Sequence, residues 1–296
     1  MATYVVAGVT GRVGSVVARE LLAQQHRVTG IARDAERGVA WAIGGGEAAY
    51  GSLDDAEFLT RTLHGVDGFF ALLPEDPFAA DFHGARRAMA DAMATAVRTS
   101  RVPHVVLLSA VAASLADGNG PAKDLHYLER ALRTTGTTLS IIRACWFQEN
   151  AGAMLGPATA AGIYPNFMAS ADAPFPTIAT RDVGRVAASL LVSPPPTSEI
   201  IDLTGPSYSS RDFALALGSA LGKELQVVDV PAAARAGALM QAGLPQPFAE
   251  TVAELYACFE SGRVRPEGDR ALAGATTIHD VLPDLLSTLG GRTARR

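Results

Sequence analysis

Only two cysteines, Cys145 and Cys258, occur in the 296 residues. They stand far apart, with neither a Cys-x-x-Cys pair nor a Cys/His cluster around them, so the sequence offers no disulfide framework and no zinc site. Both read as small buried apolar residues. Long apolar runs are missing too, since nothing approaches the ~20 consecutive apolar residues that a membrane-spanning helix needs. The first strand-like run begins at Thr3 with no basic segment and apolar stretch ahead of it, which sets the expectation of a cytoplasmic protein without membrane contact. Positive charge is scarce: 25 Lys and Arg stand against 30 Asp and Glu, for a formal net charge of −5. With an isoelectric point near 5.7 the chain has no general attraction for nucleic acid. The one basic cluster, at 292–296, reads as a frayed, solvated tail. There is no internal repeat, low-complexity tract or heptad run. What remains is 48% hydrophobic and 19% charged, the balance of a globular chain with a sizeable core.

The informative stretch is the opening one, Thr3-Tyr-Val-Val-Ala-Gly-Val-Thr-Gly-Arg-Val-Gly14. An apolar strand runs into three glycines spaced three apart and then into a helix. Gly8 permits the tight turn, Gly11 lets backbone N–H groups approach phosphate, and Gly14 lets the helix pack on the strand. The helix start then faces the anion. Gly8, Thr10, Gly11, Arg12, Val13 and Gly14 are accordingly the expected pyrophosphate cradle of a dinucleotide.

Further strand-like runs recur at 27–32, 68–73, 104–109, 139–143 and 200–203, separated by Ala-rich segments of helical spacing at 13–25, 54–63, 81–99 and 123–134. Such alternation implies parallel strands joined by helical crossovers, and so an α/β fold: a Rossmann-type doubly wound parallel sheet. Pro157, Gly162, Pro165, Pro174 and Pro176 break the rhythm over 151–178, which reads as an irregular insertion lining a substrate site. A helix at 182–192 and the strand at 200–203 return to the sheet. Beyond it come helices at 210–221, 232–242, 247–260 and 277–289 and a short strand at 226–230. The expected organisation is a dinucleotide-binding domain over 1–150, completed by 179–204. A small, mostly helical substrate lobe is built from 151–178 and 205–296.

The Gly-x-x-Gly-x-x-Gly spacing with Thr10 resembles the extended and atypical short-chain dehydrogenases. The blocks 139–150 (LSIIRACWFQEN), 177–187 (TIATRDVGRVA) and 201–206 (IDLTGP) are similar, in order, to landmarks of the NmrA-like branch. That resemblance implies an NAD(P)-binding protein: either a reductase of quinones and dyes or a redox sensor that binds the cofactor without turning it over. It also implies that Cys145, Trp146 and Phe147, just past the fifth strand, lie along the cofactor.

The second strand ends Gly30-Ile-Ala-Arg33, without the acid that would accept hydrogen bonds from a ribose 2′-hydroxyl. Arg33 is placed instead to bond a 2′-phosphate and stack on adenine. NADP(H) is therefore expected to be preferred, with NAD(H) as a second possibility; the competing reading of Arg33 is a solvated residue neutralised by Asp34. Where the family has an acid, this chain has Ser52, leaving Leu53 to pack on adenine. Leu72, Leu73 and Pro74, at the exit of the third strand, are expected along ribose and pyrophosphate.

A Tyr-x-x-x-Lys pair is absent as well. Ser109 ends the fourth strand, but in the helix that follows Tyr127 meets Ala131 four residues later, so the usual acid of carbonyl reduction has no partner to lower its pKa. Ser109, Lys123 and His126 are the candidate catalytic residues. The resemblance implies a His four residues before a Glu, whereas His126 stands three before Glu129. Trp146, Tyr164, Phe167 and Phe175 are candidates to sandwich a planar substrate, or else serve as lobe core. A quinone needs little acid help, because hydride addition yields a stabilised phenolate. The expected function is thus NAD(P)H-dependent reduction of a quinone or polycyclic aromatic, and no metal ligands are expected. The resemblance and the Ala-, Arg- and Gly-rich composition add a finer expectation, the reducing half of a flavin-free hydroxylation in aromatic polyketide antibiotic biosynthesis, with a small hydroxylase partner protein. A non-catalytic NADP(H) sensor is the alternative, and the oligomeric state stays open.

Overall fold

Alternate residues along the central strands feed opposite faces of one sheet. Val5, Phe69, Val105 and Ile141 pack on one side, and Val6, Phe70, Val106 and Ile142 on the other, all essentially without solvent exposure. Covering both faces of a sheet requires helices on both sides, and that is how the chain folds. The computed structural model describes residues 1–34, 38, 41–42 and 44–293.

In chain order the first half comprises β1 (Thr3–Val6), α1 (Arg12–Ala23), β2 (Arg27–Ala32), β3 (Glu47–Tyr50), α2 (Ala56–Thr62), β4 (Gly68–Ala71), α3 (Phe82–Ser100), β5 (His104–Ala110), α4 (Ala122–Arg133) and β6 (Thr138–Ala144). The irregular stretch that follows carries β7 (Trp146–Phe147), α5 (Leu155–Ala161), β8 (Ile163–Asn166) and β9 (Phe175–Ile178). Then come α6 (Thr180–Val192), β10 (Glu199–Thr204), β11 (Ser207–Tyr208), α7 (Ser210–Leu221), β12 (Gln226–Asp229), α8 (Arg235–Gln241), α9 (Gln246–Glu260), β13 (Arg270–Ala273) and α10 (Ile278–Thr293).

Eight strands form a parallel sheet in the order β13-β10-β6-β5-β4-β1-β2-β3. The order reverses between β1 and β4, the switch point where a crevice opens beyond the carboxyl ends of the strands. Helices α1 and α6 cover one face through Val13, Val17, Leu21, Val183 and Ala187; α2, α3 and α4 cover the other through Leu59, Met93, Val97, Leu128 and Leu132.

The expected doubly wound sheet is present, and two of its strands were not legible. β3 (Glu-Ala-Ala-Tyr) and β13 (Arg-Ala-Leu-Ala) lie at the two edges, are largely exposed, and carry alanine rather than β-branched residues, so neither makes an apolar run. β13 also shows that part of the stretch assigned to the substrate lobe joins the main sheet. The helix expected at 13–25 stops at Ala23, because Gln25 adopts a left-handed φ of 64°. The helix expected at 182 starts at Thr180, where the buried carboxylate of Glu149 accepts hydrogen bonds from the Thr180 N–H (2.9 Å) and hydroxyl (2.6 Å). That carboxylate does the capping work that Ala179 cannot. α10 takes in Arg292 and Thr293 of the expected tail; 294–296 lie outside the described residues. Among the described residues no helix is long and apolar enough to cross a membrane.

The lobe over the strand ends is held by two small sheets, β11-β9-β7 and β12-β8. Polar ties fasten it to the parallel sheet. Gln148 donates to the Thr276 carbonyl at 2.9 Å, and Asp182 accepts from the Thr276 N–H at 2.9 Å.

At the start of β5 the buried His104 has one ring nitrogen on the Ser140 hydroxyl at 3.0 Å and Nδ1 without a partner. Burial pushes its pKa down from 6.5 to about 4, against a smaller upward pull from Glu199. Between these two values the unfolded chain binds a proton that the folded chain refuses. The contribution is therefore complete above about pH 6.5 and is lost as the pH falls through about 4. Urea unfolding across that window should show a loss of up to about 3 kcal/mol, and His104→Gln should flatten that part of the curve.

Candidate active site

The turn after β1 is shaped by backbone contacts that only glycine allows. Gly8 has φ of 65°. A Cβ on Gly14 would meet the Gly8 carbonyl oxygen at 2.3 Å and the Ala7 oxygen at 2.7 Å, so α1 can sit on β1 only without one. The N-cap of α1 is Gly11, which offers no side-chain acceptor, and the helix has no acid in its first turn. Its first N–H groups and the positive end of its dipole are left for an external anion.

Around this turn lies a cavity of about 500 Å³ lined by Gly8, Thr10, Gly11, Arg12, Val13 and Gly14. The same cavity reaches Arg33 and Leu53 and is closed by Leu72 and Pro74. Ser52 lines it too, where an acid was missing. The donor-rich turn, the guanidinium at the end of β2 and the apolar Leu53 together suit pyrophosphate, 2′-phosphate and adenine. The residues fit a dinucleotide.

Arg12, Leu72, Glu75, Leu108 and Phe147 line both this cavity and a second one of about 720 Å³. The second cavity is floored by Leu73, Ser109, Cys145 and Trp146 and roofed by Tyr164, Phe167 and Phe175. The structure thus brings the expected cofactor and substrate residues to one continuous cleft. Cys145 is no nucleophile there, since burial pushes its thiol up to about 12.

Two catalytic candidates fall outside it. Helix α4 turns Ala122 and Leu125 toward the cleft. His126 is one residue, hence ~100° of helix, further round. Its Nδ1 lies 2.9 Å from the Ala113 carbonyl, and neither His126 nor Lys123 lines the cleft. Tyr127 is 38% exposed and donates to Asp91 at 2.7 Å, a bond that holds its pKa above the usual phenol range.

Ser109 does line the cleft, but its proton is committed. The hydroxyl donates to Glu129 Oε1 at 2.6 Å, and Arg143 grips the same buried carboxylate through Nη2 (2.7 Å) and Nε (3.1 Å). Desolvation works against the Arg143 charge; the bonds and charge of Glu129 outweigh it and hold the guanidinium above its ordinary pKa. Only the lone pairs of Ser109 are left to face the cleft.

Sequence reasoning missed several lining residues. Phe213, Phe248, Tyr256 and Phe259 come from α7 and α9, distant in sequence, and nothing short of the tertiary fold brings them over the strand ends. Arg86 was missed as well. It reaches in from α3 to donate to the carbonyls of Leu73 and Pro74, both at 3.1 Å, and contacts the buried Asp124 at 3.2 Å. Burial draws its pKa down against the opposing charges of Glu75 and Asp124. Arg86 therefore staples the β4 exit to the start of α4.

A profile of the NmrA-like family matches residues 2–277. The chain belongs to the NmrA-like family. An NAD(P)H azoreductase of Xenophilus azovorans is 25% identical over 253 residues, 85% of either chain. A triphenylmethane reductase from Citrobacter sp. superposes with a TM-score of 0.79 at 21% identity, over 97% of this chain and all of that one. An NADPH-dependent quinone oxidoreductase from Escherichia coli, solved with NADPH, gives 0.76 at 20% identity over 96% of this chain and 99% of that one. These structural likenesses establish the fold.

A Cβ on Gly11 would meet only the Gly8 oxygen, at 3.1 Å, so Gly11→Val should still fold. Its branched side chain would stand where the pyrophosphate lies. Fluorescence titration should find no saturable NADPH binding at concentrations that saturate the wild type, while circular dichroism is unchanged. Arg33→Ala should weaken NADPH by about 1.5–3 kcal/mol, the worth of bonds to a charged group, and leave NADH nearly unaffected; equal losses for both would assign Arg33 to solvent.

Proposed function

We propose that this protein is an NAD(P)H-dependent oxidoreductase, with NADPH preferred, acting on a quinone or polycyclic aromatic acceptor. The observation that carries this reading is the continuity of the cleft. The nucleotide cradle opens, through Arg12, Leu72 and Phe147, directly into an aromatic cavity of about 720 Å³ at the sheet's switch point. The activities printed for the relatives, azoreductase, triphenylmethane reductase and quinone oxidoreductase, support the same class.

A bound reduced dinucleotide supplies hydride from C4 of its nicotinamide ring. The protein's part is orientation and dryness: the glycine turn and Arg33 hold the nucleotide, and the aromatic walls hold a planar acceptor and keep water off it. No proton donor of the usual kind is at hand, because Tyr127 points away and the Ser109 proton belongs to Glu129. A quinone suits such a cleft. On gaining one hydride it becomes a hydroquinone monoanion whose charge the ring delocalises, and its second proton can come from water.

The finer form of the proposal is the reducing half of a flavin-free hydroxylation of an aromatic polyketide, completed by a small hydroxylase partner. The absence of a Tyr-x-x-x-Lys pair and the room for fused rings support it. The test is incubation with NADPH and a panel of quinones and dyes, read as loss of NADPH absorbance. Turnover supports the enzyme; tight NADPH binding with no turnover of any acceptor transfers the site to a sensor. Within that assay Tyr127→Phe should stay within about threefold of wild type, whereas loss of a true general acid costs ~10²–10⁴-fold.

A further inference from the structure

The cleft has no Tyr-x-x-x-Lys pair on the sheet side, yet two tyrosines line it from the lobe. Tyr164 on β8 and Tyr256 on α9 are each 7% exposed, and both line the cavity. Neither hydroxyl has a hydrogen-bond partner among the described residues. That is unusual, because a buried tyrosine hydroxyl ordinarily finds a partner.

Other buried hydroxyl and charged side chains that line the cavity are engaged. Ser109 donates to Glu129, Ser210 donates to Asn166, Glu149 caps α6, and Arg86 holds the Leu73 and Pro74 carbonyls. The Tyr256 ring is clamped by stacking on Phe167, with centroids 5.3 Å apart, and by Trp146 at 5.4 Å, so its hydroxyl is fixed in place before any ligand arrives.

We propose that Tyr164 and Tyr256 are the hydrogen-bond donors that hold the acceptor's oxygen atom and stabilise the negative charge that builds on it during reduction. This rests on the reductase reading of the cleft. Both tyrosines belong to the lobe and the nucleotide cradle to the sheet, so an acceptor held by the pair would lie between lobe and cofactor. Burial pushes both phenols well above their usual pKa, with the Tyr256 charge adding to the effect on Tyr164 and Arg235 opposing it on Tyr256. A donor that weakly acidic keeps its proton beside a hydroquinone anion. The pair therefore works as an oxyanion hole, and water delivers the proton.

The test compares Tyr164→Phe and Tyr256→Phe with wild type in three measurements. With NADPH and menadione, each variant should lose about tenfold or more in kcat/KM, less than the ~10²–10³-fold typical of an oxyanion-hole donor, because the quinone's own ring shares the charge. With a cationic triphenylmethane dye that carries no oxygen, the variants should match wild type. The infrared carbonyl band of menadione bound without dinucleotide should lie at lower frequency in wild type than in the double variant. Equal losses for menadione and dye would reduce the tyrosines to packing and overturn the proposal, as would an unshifted carbonyl band. If the band shifts while wild type reduces no acceptor, the donor pair stands and the reductase reading fails. If menadione is reduced equally by all variants, the reductase reading stands and the pair fails.

Discussion

Where α1 leaves β1, the Gly14 backbone lies against the carbonyls of Ala7 and Gly8 more closely than any side chain would permit. That approach sets the rest of the site. It brings the uncapped start of α1 to the ends of the strands at the place where the sheet order reverses, between β1 and β4. The cavity around it joins the one over the exits of β5 and β6. A methyl group at position 14 would tilt α1 away and move the cradle off the crevice. The apolar packing of α1 and α6 on the sheet, through Val13, Val17 and Val183, keeps that geometry rigid.

Charge inside the protein is used as a strut. Glu129, Arg143 and Ser109 form one closed network behind the cleft, and Arg86 with Asp124 forms another at its side. Buried pairs of this kind add little net stability relative to apolar packing, but losing one partner strands the other. Their effect here is to hold the cleft floor in a single arrangement and to remove the proton of Ser109 from any chemistry. The proton traffic of simple ketone reduction has no residue on the sheet side to carry it, and the two free phenols belong to the lobe.

Much of this was legible before folding, for local reasons. The glycine turn, the buried strands and the amphipathic helices are written in neighbouring residues, and the boundaries of α7 (Ser210–Leu221) coincide with the expected 210–221. The edge strands β3 and β13 were not, because an edge strand needs no apolar run and is formed by what pairs beside it. The cavity-lining residues Gly8, Gly11, Gly14, Arg33 and Leu53 were readable because each stands next to a strand end whose direction the topology already dictates.

The sequence by itself determined the central strands of the sheet, the glycine turn, the lack of an acid at the second strand and the lack of a Tyr-x-x-x-Lys pair, since all of these depend on residues within a few positions of one another. The tertiary structure alone decided which face of α4 meets the cleft. A step from Leu125 to His126 is trivial in sequence and about a quarter of a turn in space, so Leu125 lines the cavity while Lys123 and His126 do not, and Tyr127 is exposed. It alone also decided that Tyr256, some 90 residues beyond Tyr164, would share its cavity. Contacts between distant segments depend on how helices and sheets stack, and no local pattern of residues encodes where two such segments will meet.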